Sequence, residues 1–376
     1  MKNEKEIFGF GLMRLPQRDP DDPASIDMEE FTKMVDYYME HGFNYYDTSY
    51  AYHNGKSETS FKEAVSDRYP RESYRIVDKL PTWALTSEED NQKYVDEMLE
   101  RLGVDYFDKL FIHNINEAWW PLAEKAKSFD FLVKMKEEGI AKEIGFSLHA
   151  KPEILKEVLE KHQIFDFVQL QLNYLDWKDP QMRTHELYEI AVEHGLDVLV
   201  MEPLKGGALI NLPEDALAML KERDPDASPA SWGLRFAASL DAVKIVNSGM
   251  NRMSDMIDNV KTFTDLKPLS DEEFEFLEKV SETVRSEIAV PCSYCRYCVD
   301  HCPNDLPIAD YFAMYNSDKQ ATNNTNFFNY GILSQVHGKA SDCTECGECL
   351  QYCTQSIDIP DYMKDVAEYF EKDQNQ

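Results

Sequence analysis

Along the first three quarters of the chain, short apolar runs are separated by longer stretches of helical period, a pattern that predicts parallel strands joined by crossover helices. Eight strands are read, over Phe8–Arg14, Phe43–Asp47, Arg75–Lys79, Phe107–His113, Glu143–Ser147, Phe167–Leu172, Asp197–Glu202 and Val243–Ser248. Between them, Met28–His41 sets Met28, Phe31, Val35 and Tyr38 on one stripe behind an Asp27 cap. A second helix, Glu88–Leu102, follows a Thr86/Glu89 capping pair and stops at Gly103. Eight strand and helix units before residue 285 predict a closed (β/α)8 barrel of the TIM type, with reactive groups at the C-terminal ends of the strands. An open doubly wound sheet is the alternative, but no GxGxxG follows the first strand as its dinucleotide-binding form requires.

After Leu269 a Ser270-capped acidic helix leads out of this pattern, and the composition changes at Pro291. All eight cysteines lie between Cys292 and Cys353, which suits one local task better than a disulfide framework. Cys292, Cys295, Cys298 and Cys302, with Pro303, read CxxCxxCxxxCP, and Cys343, Cys346, Cys349 and Cys353 repeat the spacing. One tight loop of this kind can supply three thiolates to a cubane cluster while the fourth arrives from elsewhere. A zinc site is the alternative, though zinc usually takes two CxxC knuckles.

The doubled array resembles two-cluster ferredoxins, in which the fourth cysteine of each run ligates the other cluster. That resemblance implies two 4Fe-4S clusters, one on Cys292, Cys295, Cys298 and Cys353 and the other on Cys343, Cys346, Cys349 and Cys302. The second run has Thr354 where Pro would follow, and some forty residues separate the runs. That gap, with Phe312, Tyr315 and Phe327 to Tyr330, resembles the helical ferredoxin modules fused to larger redox enzymes. The division expected is a barrel over 1–285, a small, mainly α-helical ferredoxin-like iron-sulfur domain over 286–360, and an acidic tail over 361–376 in which a helix frays.

The formal charge of −31 sets a negative field over the surface that repels phosphate backbones and anionic lipid, so neither nucleic acid nor membrane is an expected partner. A basic redox protein could be steered by the same field. The stretch from Met1 to Phe10 alternates Lys and Glu and lacks the apolar core of a secretory signal, and no long apolar run follows, so the expected location is cytoplasmic.

Asp47, Lys79 and His113 each close an otherwise apolar strand, and in a barrel such groups converge on the mouth. Tyr52 lies in the loop after Asp47, and for Tyr46 and Tyr50 a packing role is the better reading. The stretch Asp47 to Glu58, with Val77 to Pro81 and Leu110 to Asn114 following, resembles the signature of the aldo-keto reductases, and Gly9 to Leu15 is similar to that family's first strand. The resemblance spans about residues 7 to 285. It implies carbonyl reduction with Tyr52 as general acid, Lys79 lowering the pKa of its phenol, Asp47 holding Lys79, and His113 orienting the carbonyl oxygen.

On the cofactor side, alternation turns Phe167, Gln169 and Gln171 to the barrel interior. The resemblance gives Gln169 and Ser147 the nicotinamide amide, although Leu148 stands where an amide side chain often sits and Met201 where an aromatic ring commonly stacks. Lys205, Gly206 and Gly207 after the seventh strand offer a cation and backbone N–H groups to a pyrophosphate, and Gly249, Met250 and Asn251 precede a helix at the usual phosphate position of barrels. Asp258 and Asn259 resemble the family's adenine pair, whereas Gly249 replaces a usual Lys and Asp255 a usual Arg. The cofactor expected is therefore NAD(H) or NADP(H), with FMN as a third candidate because a flavin can convert hydride to single electrons.

The function expected is an oxidoreductase acting on a small-molecule carbonyl or alcohol, with electron transfer through two clusters. A carbonyl reductase with purely structural clusters, and an electron-transfer protein on a degenerate barrel, are the alternatives.

Overall fold

The computed structural model describes residues 7–19, 22–116, 119–178, 183–320, 324–353 and 355–372, with the backbone alone at 285–287, 317, 318, 320, 324, 325, 328, 329 and 332. Thr354, the first six residues and the last four of the expected tail lie outside the described residues. No helix among the described residues is long and apolar enough to cross a membrane. The chain forms two compact units, the larger reaching Phe274 and the smaller made of 275 onward together with the excursion Leu212–Pro225.

The larger unit is a closed barrel of eight parallel strands in sequential order. They are β1 Phe8–Gly11, β2 Tyr45–Asp47, β3 Arg75–Leu80, β4 Phe107–Ile115, β5 Ala141–Leu148, β6 Phe167–Gln171, β7 Asp197–Met201 and β8 Val243–Gly249. The first strand expected to reach Arg14 stops at Gly11, because Leu12–Arg14 turns into a 3-10 helix. Tyr45, Val77, Phe111, Phe167, Leu199 and Ile245 fill one layer inside the barrel, while Phe8, Phe10 and Tyr46 face outward onto helix α1 (Met28–Glu40) through Phe31 and Tyr38. Asp27 caps α1 by accepting from the Glu29 and Glu30 N–H groups. Helix α3 (Glu89–Leu102) ends at Gly103 in the left-handed region, but its expected cap shifts by one residue. Asp90, in place of Glu89, accepts from Thr86, since its carboxylate can collect the Thr86 and Ser87 N–H groups and the Thr86 hydroxyl at once.

Adjacent strands are staggered so that successive chemical side chains climb toward the C-terminal mouth. Asp47 pairs with Val77 across β2 and β3, two residues before Lys79, and Lys79 pairs with Phe111, two residues before His113. The pleat therefore keeps all three on the inner face above the apolar layer.

In the smaller unit, helices Ile308–Gln320, Asn324–His337 and Ile359–Phe370 surround a core of Leu306, Ile308, Tyr311, Phe312, Met363, Val366 and Phe370, which also takes in Cys298 and Cys349. The stretch from 361, expected as an acidic tail with a fraying helix, is helical to Phe370 and packs into this core. Met363, Val366 and Phe370 recur at helical spacing and are buried, so an apolar stripe outweighs the acidic average of the segment.

Candidate active site and cluster-binding cysteines

Lys79 is the centre of the barrel mouth. Its side chain is buried, and Nζ donates to Asp47 Oδ1 at 2.6 Å, to the Thr48 carbonyl at 2.6 Å and, more weakly, to the Tyr52 hydroxyl at 3.4 Å. The other oxygen of Asp47 accepts from Gln169 Nε2 at 2.9 Å and Asn247 Nδ2 at 3.0 Å. Asp47 is thereby fixed from three strands. A β-carbon at Gly9 would fall 2.1 Å from Asn247 Oδ1, so β1 must carry glycine there for Asn247 to reach Asp47.

Burial pulls the Lys79 ammonium down, but Asp47 and Tyr52 together carry it above the ordinary lysine value, so it is charged. For Tyr52 the balance differs from the sequence expectation. Burial raises the phenol and outweighs the lowering by Lys79, so the net direction is upward and the hydroxyl keeps its proton. His113 is half-buried, and burial followed by the charge of Lys79 holds it well below the ordinary imidazole value, hence neutral. Its Nδ1 lies 3.0 Å from Ser49 Oγ, its ring meets Tyr52 edge-on at 5.9 Å, and its carbonyl accepts from Thr82 at 2.6 Å.

Trp83 stands edge-on to His113 at 5.2 Å and Trp119 lies against Trp83 at 5.4 Å, forming an aromatic wall beside the tyrosine. Trp120 has a different place, buried against Phe129 and His162. Of the two tyrosines read as packing residues, Tyr46 is buried against Tyr38 and Phe61, whereas Tyr50 donates to Glu97 and accepts from Arg101.

A cleft of about 480 Å³, within the usual range for small-molecule sites, opens between the loops after β7 and β8. Gly206, Gly207, Gly249, Met250, Asn251, Asp258 and Asn259 line it, as does Asp255. Lys205, Gly206 and Gly207 take successive positive φ values of 48°, 66° and 98°, a turn that glycine adopts cheaply. Asn259 donates to Ser248 Oγ at 2.7 Å, and Asp258 accepts from Ser228 at 2.6 Å.

Ser147, Gln169, Met201 and Lys205 are not part of that lining. Ser147 accepts from the Asn114 N–H, Gln169 is engaged with Asp47, the Met201 carbonyl accepts from the Leu172 N–H, and Lys205 pairs with Asp176 at 2.5 Å. Arg14, Glu202, Ser228, Asn247 and Arg252 line the cleft and were not anticipated. For Asn247 the signal was present, a polar residue on the inward-facing register of an apolar strand. Arg14 meets Glu202 at 3.3 Å and Arg252 meets Asp255 at 3.4 Å, so both arginines of the cleft already face a carboxylate.

In the smaller unit the cysteines sort across the two runs. The Cys292 thiol is raised to about 11 by burial, with Cys295 and Cys353 as neighbouring groups, and Cys298 to about 12 by burial, with Cys292, Cys295 and Cys353 foremost. Burial likewise raises Cys349 to about 11, with Cys343, Cys346 and Cys302 beside it. A small cavity is lined by Cys302, Cys343, Cys346 and Cys349 together with Leu306, Ile308 and Met363. Among the described residues no three cysteine, histidine or carboxylate side chains come close enough to share one ion. Four thiols in each set are the donor chemistry that a 4Fe-4S cluster takes. A cluster bound there would be held by thiolates, so each ligating cysteine would give up its proton on loading. The Tyr294 N–H points to Cys292 Sγ at 3.4 Å and the Ile357 N–H to Cys353 Sγ at 3.3 Å.

A closed barrel with a buried Lys–Asp–Tyr group at its mouth and a polar cleft alongside is the arrangement of a barrel oxidoreductase, and the smaller unit carries the doubled cysteine run. The model of the aldo/keto reductase family matches residues 8–282, and the chain belongs to that family. A 4Fe-4S dicluster domain matches residues 291–357. Among curated relatives, an aldo-keto reductase of Mycolicibacterium paratuberculosis is 26% identical over 288 residues, covering 75% of this chain and 88% of that protein. Among solved structures, the holo form of the aldo-keto reductase AKR11C1 from Bacillus halodurans aligns with a TM-score of 0.59 at 25% identity, over 73% of this chain and 91% of the other. An aldo/keto reductase from Klebsiella pneumoniae, solved with NADP and acetate, aligns with a TM-score of 0.57 at 18% identity, over 73% of this chain and 90% of its own, and shares the fold.

Proposed function

We propose that the barrel interconverts a small-molecule carbonyl and its alcohol, with a nicotinamide dinucleotide, NADH rather than NADPH, in the cleft after β7 and β8. The observation that carries this is the charged, buried Lys79 held between Asp47 and a protonated Tyr52. The dinucleotide, when bound, supplies the hydride. Tyr52 delivers the proton to the carbonyl oxygen, and Lys79 stabilises the phenolate left behind. Neutral His113 donates from Nε2 to that oxygen, which requires Nδ1 to accept from the Ser49 hydroxyl. Trp83 and Trp119 exclude water on one side and favour a substrate with an apolar face. The pairing of Arg14 and Arg252 with carboxylates, with Asp255 and Asp258 in the same lining, disfavours the extra charge of a 2′-phosphate.

Tyr52→Phe tests the reading. Carbonyl reduction with benzaldehyde as probe should fall by about 10²–10⁴-fold while NADH affinity is kept. Turnover near the wild-type rate would show that Tyr52 is not the acid.

The two cysteine sets support electron transfer through two 4Fe-4S clusters as the second part of the function, because the cross-run neighbours match the arrangement of two-cluster ferredoxins. NADH bleaching the cluster absorbance of anaerobic protein supports a redox role. Clusters that remain oxidised with NADH, and that no ferredoxin-type donor reduces, indicate a structural one.

A further inference from the structure

β3 carries an acid immediately beside its lysine. Asp78 points away from the barrel interior, opposite to Lys79, and is fully buried. Glu58 is equally buried on helix α2 (Lys56–Phe61), the first helix after the Tyr52 turn. Asp78 Oδ1 accepts from the Lys79 backbone N–H at 2.8 Å, and Glu58 Oε2 accepts from Arg101 Nη1 at 3.0 Å. The remaining oxygens, Asp78 Oδ2 and Glu58 Oε1, have neither solvent nor a donor. The two carboxyl groups nevertheless lie within hydrogen-bonding reach of each other.

Two buried carboxylates in contact cannot both be ionised, and two acceptor oxygens cannot satisfy one another without a proton between them. The cations nearby limit the charge to one. Lys79 directs its ammonium to Asp47, while Arg101 faces Glu58 on one side and Glu97 on the other, with Tyr50 bridging Arg101 and Glu97.

We propose that Asp78 and Glu58 share one proton at neutral pH, with Asp78 as the donor and Glu58 as the anion paired to Arg101, and that the pair is a positioning element for Lys79. It ties the end of β3, where Lys79 meets Tyr52, to the helix that follows Tyr52. The residue next to Glu58 strengthens the tie, since Ser57 Oγ lies 2.8 Å from the hydroxyl of Thr48, whose carbonyl accepts from Lys79. Burial drives Asp78 well above the ordinary carboxyl value, whereas Arg101 opposes the rise at Glu58, which favours Asp78 as the holder of the proton. An ionised Asp78 would place a second negative charge beside Lys79 and make Tyr52 a weaker acid.

The positioning half rests on the catalytic reading of Tyr52 and Lys79, while the shared proton does not. The infrared difference spectrum between wild-type holoprotein and Asp78→Asn at neutral pH tests the proton. One carboxylic-acid C=O band, moving in deuterium oxide and missing from the variant, is expected. A difference confined to carboxylate bands would overturn the proposal. For positioning, Asp78→Ala should lower kcat for NADH-dependent benzaldehyde reduction by about tenfold or more, and Asp78→Asn should recover most of it because an amide still donates to Glu58. Equal loss in both would refute the role of a neutral donor. Should Tyr52→Phe prove harmless while the band is present, the catalytic reading fails and the shared proton stands.

Discussion

Replacing Lys79 with methionine keeps most of the side-chain volume and deletes the charge on which the mouth is organised. Asp47 would be left as a buried anion, and removing one partner of a buried pair costs about 3–5 kcal/mol. Gln169 and Asn247 still donate to its second oxygen, so the lower end, about 3 kcal/mol, is the expected loss. A domain with about 5–15 kcal/mol of stability survives that loss, and the variant should fold. Catalysis should suffer more. Burial raises the Tyr52 phenol and only Lys79 opposes it strongly, so without the ammonium proton delivery slows by about 10²–10⁴-fold. The assay is single-turnover oxidation of NADH with benzaldehyde, alongside a fluorescence titration for NADH affinity and cluster absorbance as the fold control. Near-wild-type turnover in a folded Lys79→Met protein would refute the assignment of Lys79 as the charge partner of the acid.

Cys302→Ser should damage the cluster held mainly by Cys343, Cys346 and Cys349 and spare the other, as two distinguishable paramagnetic signals would report; loss confined to the first-run cluster would contradict the sorting of thiols across runs. Gly9→Ala pushes a β-carbon into Asn247 Oδ1 and should lower kcat through Asp47 with little change in NADH affinity, and unchanged kcat would mean that the Asn247 contact is dispensable. In the reduction direction the working states are neutral His113 and protonated Tyr52. Because His113 is held below 6.5 and Tyr52 above 10.0, the acid limb of kcat/KM should lie below the first value and the alkaline limb above the second. Limbs inside that window would show that other groups govern the profile.

The strands and the mouth residues were legible because they follow from the apolar runs and their alternation. A polar group that ends an apolar run on the inward phase must meet its counterparts once the barrel closes, as Asp47, Lys79, His113 and Gln169 do. Asp78 obeys the same alternation with the opposite phase, and its significance needed the partner on α2 that sequence spacing does not reveal. The signs of the pKa shifts were less accessible. A neighbouring ammonium predicts a lowered phenol, but burial, which depends on the packed structure, dominates at Tyr52. Lys205 shows a similar limit, since its pairing with Asp176 joins residues 29 positions apart. In the smaller unit the acidic average of the C-terminal segment concealed an apolar stripe, with Met363, Val366 and Phe370 buried, that packs into the core.

The central claim, direct carbonyl reduction in the barrel, is tested most directly with NADH deuterated at the transferable position. Benzaldehyde reduced by the anaerobic holoprotein in ordinary water should yield benzyl alcohol with deuterium on the carbinol carbon, and Tyr52→Phe should suppress its formation. Alcohol formed at the wild-type rate with that deuterium lost to solvent would mean that the electrons reach the carbonyl by another carrier, and would contradict the account.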